Sequence, residues 1–129
     1  MVEGGFATSA DAKLIVTIVK KGMASKLVSA TKKAGASGGT IILGRGTANK
    51  ELYLKFLGME YEPEKEIVFT IVDRAVVDDV LRVIIKEARL DKPGTGIGMV
   101  LDVKRLIGVV HLMANFPVPQ NERPGGEQQ

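Results

Sequence analysis

Three glycines spaced two apart, Gly94, Gly96 and Gly98, run straight into the apolar segment Met99-Val100-Leu101 and the acid Asp102. Glycine tolerates positive φ and, having no Cβ, lets backbone N–H groups come close to an anion. That is chemistry for holding a phosphate or carboxylate, not for breaking a bond. Lys92, two residues before the first of these glycines, offers a counter-charge. A second Gly pair brackets Arg45 at Gly44-Arg45-Gly46, with Thr47 next. Hydrogen bonds from N–H groups to an ionised acceptor are shorter and stronger than neutral ones. One Gly-rich turn is a weak signal, since it also serves as a plain connection. Two of them, each attached to a strand, point to a small anion-binding domain.

The remaining composition narrows the chemistry. The 129 residues are the length of one domain. Apolar residues make up 45%, yet only two Tyr and four Phe are aromatic, so the core must be aliphatic. With no Cys and a single histidine, His111, neither a Cys-ligated zinc nor a His-based triad fits one chain. No catalytic residue and no metal site is expected. The net charge of +3 is mild and the acids are interspersed with the bases, unlike the basic stripe of a nucleic-acid binder. No apolar run is long enough to span a bilayer, and the first residues lack the pattern of a secretory signal, so a cytoplasmic location is expected.

The elements follow from periodicity. Residues 1–12 are small and aperiodic and read as a flexible arm. The β-branched run over 13–20 (KLIVTIVK) reads as a strand. Apolar or small residues at 23, 27, 30, 31 and 34 mark a helix over 23–34, closed by Gly35. Residues 38–43 form a second strand, and a long connection follows over about 45–63. The segment 65–72 (KEIVFTIV) is a third strand, and Asp73 caps a helix over about 74–89. A fourth strand is expected over 99–103, with a short fifth strand or edge extension over 105–111. Three prolines at 117, 119 and 124 make residues 113–129 a disordered tail.

The halves echo one another: KLIVTIVKK aligns with KEIVFTIVD, and each is followed by a helix and a Gly-bounded strand. This is an α+β, ferredoxin-like βαββαβ sandwich over residues 13–112, with both helices on one face of a four-stranded sheet. The other face is bare. Its strands are too apolar for water, and an exposed apolar face marks an interaction site. Self-association through those faces is the simplest closure.

The echoing halves and the run GTGIGMVLDVKRLIGVV over 94–110 resemble the PII nitrogen-regulatory signal-transduction family. The likeness is sharpest at Gly94-x-Gly96 followed by an apolar strand with Asp102-Val103-x-Arg105, and softer around Gly38-x-Thr40 and Glu51-Leu52-Tyr53. It implies a homotrimer with its sheets packed inward. It also implies an adenine nucleotide (ATP, ADP or AMP) in the clefts between subunits, with Mg²⁺ an open question and no prosthetic group. A loop over about 47–64, the T-loop, would act on a target transporter or enzyme, in nitrogen or carbon metabolism, without insertion into a membrane. By the same resemblance Gly46 and Thr47 sit at the loop base, and Gly94, Thr95 and Gly96, with Lys92, face the phosphates. Ile18, Thr40, Phe69 and Ile71 lie near the base, while Arg105, Lys104 and Arg45 remain for charge neutralisation. Tyr53, Phe56 and Tyr61 belong to the partner-contact loop. On this reading Gly96→Val removes the ligand response and spares the oligomer.

Several positions depart from the family pattern. Ile97 stands where a lysine is usual, Gly108 and Val110 where a pair of arginines is usual, and Phe69 where an acid is usual. The loop is also several residues shorter. Losing three cationic contacts, at about 1.5–3 kcal/mol per charged hydrogen bond, weakens triphosphate binding by several kcal/mol. Two other classes compete with a non-enzymatic regulator. An acylphosphatase-like enzyme would need an Arg in the loop after the first strand, where this chain has Lys20-Lys21-Gly22-Met23. RNA binding on the sheet face would need aromatics on the central strands, where only Phe69 stands.

Overall fold

The computed structural model describes residues 2–3, 6–8, 11–47, 51, 55 and 63–108. Its centre is a four-stranded antiparallel sheet. In chain order the elements are β1 (Val2–Glu3), β2 (Phe6–Thr8), β3 (Ala12–Lys20), α1 (Ala24–Lys33), β4 (Thr40–Arg45) and β5 (Glu64–Asp73). A 3-10 turn (Arg74–Val76) leads into α2 (Val77–Ala88), followed by β6 (Gly96–Asp102) and β7 (Arg105–Ile107). The main sheet has the order β4-β5-β3-β6, with β3 paired to β5 over its whole length, from Ala12↔Asp73 to Lys20↔Lys65. That is the ferredoxin-like order the duplicated pattern implies.

The core lies between this sheet and the two helices. Ile15 and Val19 of β3 and Val68 and Val72 of β5 point at Leu27 of α1 and at Val80 and Ile84 of α2, all almost fully buried. Each such aliphatic side chain contributes about 1.5–3 kcal/mol by leaving water. No aromatic enters this core among the described residues. Gly35 closes α1 with φ +117°, and its N–H donates to the Lys32 carbonyl. Asp73 caps the second helical segment, its Oδ1 accepting from the Ala75 N–H at 2.8 Å. The chain makes one 3-10 turn there before α2 proper begins three residues later than the periodicity implies.

Two boundaries differ from expectation for physical reasons. The last long strand starts at Gly96, not Met99, because Gly96 already opposes Val19 of β3. The arm expected over residues 1–12 is in part strand. β1 and β2 form an antiparallel pair whose outer partner is β7, and Ala12 is fully buried at the start of β3. Residues 113–129 lie outside the described residues, as does His111. Among the described residues no helix is long and apolar enough to cross a membrane.

Candidate functional site

Alternation along the strands sends one set of side chains to the helices and the other to a face on which, among the described residues, no helix packs. Directly paired residues share a face. The uncovered set is therefore Leu14, Val16 and Ile18 of β3, Ile67, Phe69 and Ile71 of β5, Thr40 and Ile42 of β4, and Ile97, Met99 and Leu101 of β6. Phe69 is 38% exposed, Ile71 40% and Ile97 56%. The four residues assigned near a base, Ile18, Thr40, Phe69 and Ile71, all fall on this face, with Thr40 directly opposite Phe69. Ile18 is set between Ile67 and Ile97.

At the edge of this face the Gly94–Gly96 turn meets the end of β3. Gly94 has φ +78° and Gly96 φ +152°. A Cβ on Gly96 would lie 2.3 Å from the Ile18 carbonyl oxygen, so the sheet itself requires glycine there. The expectation that Gly96→Val acts on ligand alone is corrected by this contact: any side chain disturbs the β3–β6 pairing first. Thr95 lies in the turn with its hydroxyl already engaged. Oγ1 is 2.8 Å from the Arg89 carbonyl and 2.9 Å from that of Lys92, so it clamps the turn.

Ile18, Lys65, Gly94, Gly96 and Ile97 line a depression of about 240 Å³. Lys65 is the cation that sequence reasoning missed. The signal was present, because strand alternation puts Lys65 on the same face as Ile67 and Phe69. Its stem passes over Gly46, where a Cβ would lie 2.9 Å from Lys65 Cε, and this brings Gly46 to the site. Thr47 follows and is exposed. Lys92 does not line this depression. It lines another, beyond the turn, with Arg82, Ile85, Lys86, Arg89 and Asp91. Arg105 is exposed on β7, opposite Thr8, and does not line the depression at the glycine turn. Tyr53, Phe56 and Tyr61, with most of the loop over 47–64, lie outside the described residues.

The loop after β3 has a different occupant from the one an acylphosphatase-like site would need. Glu66 Oε1 accepts from the N–H groups of Gly22 and Ala24, both at 2.8 Å. A helix N-terminus attracts anions, and here a carboxylate of the chain fills that place. At the far end of β3, Lys13 donates to Asp102 Oδ1 at 2.6 Å. That hydrogen bond, and then the charge of Lys13, hold the Asp102 carboxyl below the usual carboxylate range. Among the described residues no group of three or more Asp, Glu or His is arranged to hold a metal.

Solved structures share this arrangement. CutA from Synechococcus elongatus superposes with a TM-score of 0.61 at 14% identity, covering 81% of this chain and 87% of that one. A PII-like signaling protein from Thermus thermophilus superposes at 0.56 and 22%, covering 74% and 88%. These two establish likeness of fold. Arabidopsis thaliana PII, solved bound to citrate, superposes at 0.56 with 26% identity, covering 73% and 78%. No curated protein is detectably similar in sequence. The sequence model of the nitrogen regulatory protein P-II family matches residues 12–110, which span both halves of the sandwich and the glycine turn. By that match the chain belongs to the P-II family.

Proposed function

We propose that this chain is a non-enzymatic signalling regulator. Membership of the P-II family supports the signalling role. In the reading we favour, three copies bury their bare sheet faces against one another. A small anionic effector, an adenine nucleotide or a carboxylate, then sits in each seam. The loop over 47–64 changes its arrangement with the effector and engages or releases a target transporter or enzyme in the cytoplasm. Coupling of this kind is reciprocal: the target shifts effector affinity by the same factor.

The observation that carries the reading is the depression at Gly94 and Gly96. It joins a backbone turn built on glycine, a cation (Lys65) and the apolar bare face. At about 240 Å³ it is smaller than the roughly 300–1,000 Å³ usual for a ligand pocket. A nucleotide needs a second wall, and a neighbouring copy packed on the bare face would supply one. The citrate of the Arabidopsis PII structure makes a carboxylate effector a companion candidate. The acylphosphatase alternative loses ground to the Glu66 carboxylate in the loop it would use.

Two measurements test this. Light scattering should give three times the 13.8 kDa chain mass. Met99→Lys, which sets a charge on the bare face, should give monomer. A thermal-shift series with ATP, ADP, AMP and citrate, each with and without Mg²⁺, should raise the melting temperature for at least one effector. A ligand at 100 times its Kd stabilises by about 2.7 kcal/mol. Lys65→Met keeps the stem over Gly46 but removes the charge, and should cut effector affinity about tenfold or more, the worth of one charged hydrogen bond. A stable monomer that no effector stabilises overturns the reading.

A further inference from the structure

The helical side of the molecule carries a second depression, independent of the seam proposed above. α2 ends with Arg89 in the left-handed region at φ +55°, and its N–H donates to the Ile85 carbonyl. The chain then passes Asp91 and Lys92 on its way to Gly94. The last turns of α2 and this outer side of the turn line an open hollow of about 430 Å³. Arg82, Lys86, Arg89 and Lys92 surround Ile85 there, with Asp91 the only acid. Ile85 is 46% exposed although the opposite side of the same helix is core.

The charges are unequal in a telling way. Arg82 is held by Asp79 at 2.9 Å. Among the described residues, Lys86, Arg89 and Lys92 have no carboxylate within salt-bridge reach. A neighbouring hollow of about 420 Å³ between α1 and α2 shares Lys86 in its lining and adds Lys26, Lys33 and the acid Glu87. In that hollow Lys26 lies 3.8 Å from Glu87. The two hollows together carry six cations against Asp91 and Glu87, with the exposed Ile85 among them.

A free phosphate would use one or two of these cations and leave Ile85 wet. A flat bilayer surface would meet the rims of the two hollows without filling them. An acidic polypeptide matches both features at once: carboxylates against the lysines and arginines, and an apolar side chain over Ile85. The Thr95 hydroxyl already ties the Arg89 and Lys92 carbonyls together, so two of the cations come from a braced turn. A braced surface loses little freedom on binding.

We infer that the outer face of α2 and the turn over 89–94 dock an acidic segment of a protein partner. The site uses no residue of the segment 47–64 and needs no effector. The test uses the full chain without nucleotide and a fluorescein-labelled probe, the heptapeptide Glu-Glu-Glu-Leu-Glu-Glu-Glu, read by fluorescence anisotropy. An all-Glu heptapeptide and vesicles of phosphatidylglycerol are the comparison arms. The leucine peptide should bind, and more tightly than the all-Glu peptide. Lys86→Glu should weaken it about tenfold. Ile85→Ser should bring it down to the level of the all-Glu peptide. Both positions are exposed, so both variants should melt with the parent. Equal binding by Lys86→Glu and parent, indifference to Ile85→Ser, or binding to the vesicles with none to the peptide would each overturn the inference.

Discussion

Alanine at position 96 would have to hold φ at +152° with its Cβ 2.3 Å from the carbonyl oxygen of Ile18, a backbone atom fixed within the sheet. Two costs add. A side chain in that conformational region costs about 1–3 kcal/mol. Forcing an extra atom into packed surroundings costs about 1–3 kcal/mol more. The sum, about 2–6 kcal/mol, is a large share of the roughly 5–15 kcal/mol that holds a domain together. At about 4–8 °C per kcal/mol for a domain of this size class, Gly96→Ala should melt about 8 °C or more below the parent. Gly98→Ala is the control. Its Cβ would meet only Leu90 Cδ1 at 3.7 Å and the Val16 carbonyl at 3.8 Å, ordinary contacts with no positive φ. Reducing the freedom of the unfolded chain, it should be neutral or add about 0.4–1 kcal/mol. Thermal and urea unfolding followed by circular dichroism, without ligand, reads both. If Gly96→Ala melts with the parent, or if Gly98→Ala falls as far, the close approach to Ile18 is not what position 96 is for.

Other outcomes are expected from the same geometry. Glu66→Ala strips two N–H groups of their acceptor at the start of α1 and should cost about 1–2 kcal/mol in urea unfolding, with Glu66→Gln between it and the parent. The Asp102 carboxyl lies below its usual range, so its carboxylate adds stability above the unfolded-state value. That contribution is lost as pH falls through the folded-state value. Asp102→Asn should therefore lower the urea midpoint slightly at neutral pH and flatten its fall on the acid side, below about pH 4. Because the Asp102 side chain is largely exposed, concentrated salt should shrink the difference.

The strands and helices of the sandwich were legible because each rests on local chemistry. The β-branched runs, Gly35 at positive φ and the Asp73 cap act within a few residues of themselves. The bare face was legible too, since KLIVTIVK and EIVFTIV offer apolar residues to both sides of a sheet. What the sequence hid was tertiary. Nothing near Gly22 announces that its N–H will meet Glu66, forty-four positions away. Nothing in Thr95 announces that its hydroxyl closes on the Arg89 and Lys92 carbonyls. The glycine turn was found, but two causes overlap in it: Gly94 shapes the turn, whereas Gly96 is demanded by a neighbouring strand. Lys65 was within reach of alternation alone. Lys92 shows the opposite case, for closeness in sequence to the glycines did not put it beside them in the depression.

Lys65 and Glu66 are neighbours on β5 that look in opposite directions, one toward the proposed anion seat and the other to the start of α1. Since the residues between Ile67 and Val72 are greasy or compact on both sides, oiliness by itself cannot fix how β5 aligns with β3. A slip of one place would carry a carboxylate into the hollow beside the glycines and aim an ammonium at the positive pole of a helix. The ammonium would be repelled there, the two N–H groups at the start of α1 would lose their acceptor, and the hollow would lose its cation. Two adjacent charges thus act as a key that admits a single alignment of the sheet, and reversing their order, Lys65→Glu with Glu66→Lys, is the change that ought to scramble it.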